Sequence, residues 1–180
     1  MTENKMFCFQ CQETAKGTGC TIKGVCGKEA ETSKWQDLLL SVVRGVGTIQ
    51  HTLGENASKE VADFLVDALF STITNANFDD QSILNKVDTG IALKKQLLEA
   101  ALSKNITFPN YQEVHWGGEK SDYSAEGERE GVLRNENADL RSLKELTVLG
   151  LKGIAAYYDH AARLGETNEE IIAFICKALA

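Results

Sequence analysis

The stretch SKWQDLLLSVVRGVGTIQHTL, residues Ser33 to Leu53, places Leu38, Leu39, Val42, Val43, Val46 and Ile49 at the three-and-four spacing of one helix face. Working outward, the same period returns along the chain. Ser58 to Thr74 sets Val61, Phe64, Leu65, Ala68 and Leu69 on one face, with Ser58 as an N-cap. Asp80 to Ser103 carries Ile83, Leu84, Val87, Ile91, Leu97, Leu98 and Leu102 as an apolar stripe. Ala138 to Arg163 does the same with Leu140, Leu143, Leu146, Leu149, Leu151, Ile154 and Tyr158, and Gly165 supplies a stop signal. A last helix begins at Thr167, where Thr167-x-x-Glu170 reads as a capping box. No segment alternates with the two-residue period of a strand. The sequence predicts an all-α helical bundle, either single or divided into two subbundles set at an angle.

Two segments stand outside that pattern. Asn105 to Asn137 is polar, holds the single proline, Pro109, and is long for a connection, so packing of Tyr111, Val114 and Trp116 is expected to order part of it. Residues 1–28 are the other. They contain four of the five cysteines, spaced Cys8-x2-Cys11-x8-Cys20-x5-Cys26, whereas only Cys176 follows downstream. The predicted organisation is a cysteine-rich loop over residues 1–28 and a helical bundle over residues 29–180.

Charge and composition narrow the function. Nineteen Lys and Arg against 26 Asp and Glu give a net charge of −7, which speaks against general nucleic-acid binding. Within residues 1–28, Lys5, Lys16, Lys23 and Lys28 against Glu3 and Glu13 leave +2, so the remainder sums to −9. A mildly basic collar around four thiolates offsets their charge. The polar start, Met1 to Lys5, is unlike a signal sequence, and every apolar run is too short or too interrupted to span a membrane. The reducing cytoplasm is the expected compartment, where clustered cysteines bind metal more often than they form disulfides.

Four thiolates can surround one tetrahedral zinc or one iron–sulfur cluster. A zinc site usually presents two closely spaced cysteine pairs; here only Cys8 and Cys11 form one. Gly17, Gly19, Gly24 and Gly27 allow close backbone approach and N–H···S contacts. Spacing and glycines favour iron–sulfur, and zinc stays open as the alternative occupant.

The stretches around these cysteines carry a family likeness. Met6-Phe7-Cys8-Phe9-Gln10-Cys11-Gln12-Glu13-Thr14-Ala15, Gly19-Cys20-Thr21 and Gly24-Val25-Cys26-Gly27-Lys28 closely resemble the start of hybrid-cluster proteins. These are also called prismane proteins or hydroxylamine reductases, and are related to the nickel carbon monoxide dehydrogenases. The resemblance continues in Ala68 to Thr72, Asn75 to Asp79, Gly131 to Leu133, Asp139 to Glu145 and Gly150 to Tyr157. It implies that Cys8, Cys11, Cys20 and Cys26 bind a [4Fe–4S] cubane within an electron-transfer domain fed by a redox donor protein. It also implies a longer parent that reduces hydroxylamine to ammonia, or nitric oxide. The catalytic mixed cluster of that parent is held by a histidine, glutamates and several cysteines of later domains. With only Cys176 beyond the motif, this chain is expected to lack those ligands and to be inactive alone. Its last residues, Cys176 to Ala180, lie in an apolar helical run without a C-cap, as expected of a cut through a longer protein. Apolar surface meant for the later domains then predicts self-association into a homo-oligomer.

Two rival classes remain: a structural zinc module serving protein contacts, and a sensor whose cluster loss is the signal. The other chemically suggestive residues have plainer readings. Cys176 among Ile171, Ile172, Phe174 and Ile175 reads as a buried inert thiol. His160 reads as structural, paired with Asp159 or a neighbour, and His51 and His115 stand apart from the cysteines. Glu126, Glu128, Arg129 and Glu130 read as a solvated face. Arg141 and Glu145 are spaced for an intrahelical pair, and Tyr157 and Tyr158 read as packing residues.

Overall fold

The computed structural model describes residues 6–108 and 110–180; Met1 to Lys5 and Pro109 lie outside the described residues. Among the described residues the chain forms seven α-helices and no strand. They are α1 (Ala30–Leu53), α2 (Lys59–Ser71), α3 (Asp80–Ser103), α4 (Gln112–His115), α5 (Tyr123–Arg129), α6 (Ala138–Arg163) and α7 (Glu169–Leu179).

Helix α1 is the axis. Fifteen of its 24 residues are buried, too many for one face of a surface helix. It packs against α2, α3, α4, α5 and α7, while α6 lies mainly on α2. One contiguous core draws on α1, α2, α3, α5, α6 and α7, so a single bundle describes the chain. Leu38, Leu39, Val42, Val43, Val46 and Ile49 all sit in it, each fully or nearly fully buried. Burying such a side chain is worth roughly 1.5–3 kcal/mol, so this helix contributes a large share of the hydrophobic stabilisation.

Two glycines permit the close packing of α1. A β-carbon at Gly45 would strike the carbonyl oxygen of Glu113 in α4, and one at Gly47 would stand 2.7 Å from Leu179 in α7. The helix ends at Gly54, left-handed at φ +69°. Side-chain caps start the other long helices: Ser58 accepts from Val61, Asp79 from Ser82 and Asn137 from Leu140. Helix α7 departs from expectation. Asn168, not Thr167, is its cap, accepting from the amides of Glu170 and Ile171. Asparagine satisfies these two amides from a single side-chain oxygen.

The expected stripes hold for α1 and α2 and shift in α3 and α6. In α3, Leu102 is 70% exposed, whereas Leu93 and Lys94 are buried. Lys94 turns inward because its ammonium donates to the carbonyls of Glu113 and Trp116, both at 2.5 Å. In α6 the buried residues are Val148, Leu151, Lys152 and Ala155. Leu140, Leu143, Leu146 and Leu149 instead face outward.

The 105–137 connection is ordered by Val114, which is fully buried, and by Trp116, whose ring lies 5.8 Å from that of Tyr123. Tyr111 does not contribute as expected, being half exposed. The acidic run is a solvated face only at Glu128 and Arg129, which are exposed. Glu126 and Glu130 are buried, and Glu130 receives Arg44, Arg129 and Arg134. Three guanidinium groups supply the counter-charge that burial of a carboxylate requires.

Gly45→Ala forces a clash in a packed interface and is expected to cost about 1–3 kcal/mol in urea denaturation. Gly150→Ala, on the open side of α6, is expected to stabilise by about 0.5–1 kcal/mol in the same assay. Burial holds the Lys94 ammonium down at about 8, against the pull of Glu113, Glu126 and Glu130. Between pH 8 and 10.5 the unfolded chain therefore binds more protons at this residue than the folded one, and the Lys94 contribution to stability rises with pH. Relative to Lys94→Met, the wild type should gain up to about 1.4 kcal/mol per pH unit across that window.

Candidate metal centre

The segment leading into α1 is a tight loop. Cys8 and Cys20 pair as an isolated antiparallel bridge, each amide donating to the other's carbonyl, at 3.1 and 2.8 Å. Gly19 enables the crossing: its φ is +148°, and a β-carbon there would lie 2.6 Å from the ring of Phe7. Farther along, the amide of Gly24 donates to the carbonyl of Lys28 at 2.7 Å, folding the Gly24–Lys28 turn.

This folding brings the four expected cysteines together. Cys8, Cys11, Cys20 and Cys26 line one small cavity. Lys28, Gln36 of α1, and Ile73, Thr74, Asn75 and Phe78 after α2 complete its wall. All five cysteines carry free thiols.

Polar donors converge on the sulfurs. The amide of Ala15 donates to Cys20 Sγ at 3.4 Å, and the Thr14 hydroxyl lies 3.7 Å from the same atom. Burial opposes ionisation of Cys20, but the Ala15 and Val25 amides, Thr14 and the Lys28 charge together lower its pKa from the ordinary value. The Lys28 ammonium donates to Cys8 Sγ at 3.4 Å and to Gln36 Oε1 at 3.0 Å. Behind the loop, Lys152 donates to Gln10 Oε1 at 3.1 Å and to the carbonyl of Thr72 at 3.0 Å. Burial and the neighbouring Lys28 hold the Lys152 ammonium down at about 8, although Asp37, Glu145 and Cys8 pull the other way. The Asp37 carboxyl is pushed up by burial, against Lys28, Lys152 and Arg44.

Among the described residues, no three His, Cys, Asp or Glu side chains are gathered as a site for one metal ion. A mononuclear zinc needs its four sulfurs about 2.3 Å from a common centre. A cluster spreads its cysteines over several irons and is tuned by hydrogen bonds to sulfur. Four thiols line a shared cavity, with an amide directed at Cys20 and an ammonium at Cys8, a donor set of the kind either group would use.

The model of the Prismane/CO dehydrogenase family matches residues 6–180. The chain belongs to this family. Prismane-family proteins bind iron–sulfur clusters. Among similar proteins are three called hydroxylamine reductase. The chain is 49% identical to one from Bacteroides fragilis over 178 residues, which are 97% of the chain and 32% of that protein. It is 46% identical to one from Porphyromonas gingivalis, covering 98% of the chain and 33% of that protein. It is 44% identical to one from Nitratidesulfovibrio vulgaris, covering 97% and 33%. The chain thus spans about a third of the length of these prismane-family relatives.

The remaining candidates are accounted for elsewhere in the fold. Cys176 lies in the core, and burial pushes its thiol up to about 11. His160 stacks edge-on to Phe70 at 6.1 Å, while Asp159 takes Arg163 at 2.7 Å. His51 and His115 are exposed on α1 and α4. Arg141 donates to the Asn135 carbonyl at 2.8 Å and not to Glu145. The Tyr158 hydroxyl accepts from the Asn168 amide, whereas Tyr157 is exposed instead of packed. Among the described residues, no helix is long and apolar enough to cross a membrane.

Sequence reasoning passed over Thr14, Gln36, Asn77 and Lys152. Gln36 and Lys152 did leave a signal, each being polar at a position where helical spacing calls for an apolar side chain.

Gly24 provides a local test. A β-carbon there would meet Cys26 Sγ at 2.9 Å and the Lys28 backbone nitrogen at 3.2 Å. Gly24→Ala is expected to shift the amide NMR resonances of residues 20–28 and leave those of Leu38 to Ile49 in place.

Proposed function

We propose that Cys8, Cys11, Cys20 and Cys26 hold a [4Fe–4S] cluster, and that the chain is the N-terminal, electron-transfer domain of a hydroxylamine-reducing protein. One observation carries the reading: the four thiols line one cavity, and the Ala15 amide and the Lys28 ammonium donate to two of their sulfurs. Bound there, such a cluster supplies one-electron chemistry, and the domain relays electrons from a redox donor protein toward the rest of its parent.

The chain's own residues have distinct tasks in this reading. Residues 1–28 form the cluster-binding loop and residues 29–180 the bundle that carries it. The amide of Ala15 steadies Cys20. Ile73 and Phe78, together with Val25, narrow access of water to the cavity. Gln10, held by Lys152, fixes the Cys8–Cys11 turn against α6. No group of the loop needs to act as an acid or base, which suits relay and not catalysis.

Anaerobic reconstitution with ferrous iron and sulfide is expected to give about four irons and four sulfides per chain, with reversible one-electron reduction. Cys11→Ser should lose most of that iron and the visible absorbance. The loaded chain, supplied with reduced viologen, is expected to turn over no hydroxylamine. One zinc per chain without sulfide, or an unchanged spectrum in Cys11→Ser, would contradict the assignment.

A further inference from the structure

We infer that Lys28 is a positioning residue for this centre, holding a fixed ammonium against Cys8 and thereby raising the reduction potential of the group the thiolates bind. The inference rests on the cluster-binding reading above and assigns a role within it.

Lys28 is unlike Lys16 and Lys23, the other described lysines of the loop. Lys16 is exposed, and Lys23 pairs with Glu29 in solvent. Lys28 is only 6% exposed. Lysines normally keep the ammonium in water, and removing that charge from solvent costs several kcal/mol unless partners replace the hydration. Both hydrogen-bond acceptors of this ammonium lie inside the fold, Cys8 Sγ at 3.4 Å and Gln36 Oε1 at 3.0 Å. Gln36 is itself buried, and its amide donates to the Asn77 carbonyl at 3.1 Å. Asn77 in turn donates to Ser82 Oγ at 3.2 Å, at the start of α3. The ammonium is therefore held by a chain of bonds that runs from α3 through α1 to one sulfur.

The electrostatic consequence has a definite sign. Each electron added to a thiolate-bound group adds negative charge. A fixed positive charge at the sulfur stabilises the reduced state more than the oxidised one, and a buried site screens that effect weakly. Hydrogen bonds to cluster sulfurs act in the same direction. Lys152, the other buried ammonium nearby, gives its hydrogen bonds to Gln10 and Thr72 instead.

The test is a potentiometric titration, followed by electron paramagnetic resonance, of the reconstituted wild type and of Lys28→Met, Lys28→Gln, Lys28→Arg and Lys23→Met. Iron is counted in each, and circular dichroism checks folding. Lys28→Met is expected to lower the potential by at least tenfold in the reduction equilibrium, about 59 mV for one electron. Lys28→Gln, which keeps a donor without the charge, should fall between Met and wild type. Lys28→Arg should restore most of the shift, and Lys23→Met, an equal change in net charge at the surface, should leave the potential unchanged. Loaded Lys28→Met at the wild-type potential, or an equal shift in Lys23→Met, overturns the proposal. So does failure of both neutral variants to retain iron, which would make Lys28 an assembly residue. Absence of iron and sulfide from the wild type would instead overturn the cluster assignment itself.

Discussion

Helix α1 has almost no side turned to solvent, and the rest of the molecule is arranged to satisfy that condition. A helix buried on most of its circumference needs neighbours on every flank, and α2, α3, α4, α5 and α7 provide them. Because Gly45 and Gly47 lack side chains, α4 and α7 approach its backbone directly. The cysteine loop runs straight into the first turn of this same helix. Its last residues thereby inherit the rigidity of the most constrained element in the fold.

That connection explains how a loop with little regular structure presents four thiols to one cavity. Cys8 and Cys20 are tied by their own backbones, and Gln10 is tied to α6 through Lys152. Lys28 is tied to α1 through Gln36, and the segment after α2 closes the remaining side. Each tie uses a buried polar group with a partner, the condition under which burying it is tolerable. The price of such a shell is paid in α1 and α6, where a glutamine and a lysine replace apolar residues.

How far the sequence could be read depended on whether an interaction was local. The bounds of α3 and α6, the Ser58 cap and the buried face of α1 follow from spacing and capping chemistry within one turn or two. The grouping of four cysteines was legible for the same reason, since it lies in one short loop. Contacts between distant segments were not. Lys94 lies on the inward face of α3 because of two carbonyls near residue 115, and Glu130 is buried because of Arg44, 86 positions away. The outward leucines of α6 look like a core stripe in isolation, because periodicity reports an apolar face without saying whether anything covers it. Asn168 replaced Thr167 as a cap because both residue types suit that position and only the backbone decides between them.

Membership of the Prismane/CO dehydrogenase family and the gathering of four thiols both support the proposal that this cavity holds several irons and not one ion. The most direct measurement is the anomalous diffraction of crystals grown anaerobically, recorded on either side of the iron absorption edge. The account predicts a compact group of about four iron sites enclosed by Cys8, Cys11, Cys20 and Cys26. A single metal site at the centre of the four sulfurs, or disulfides joining them, would contradict it.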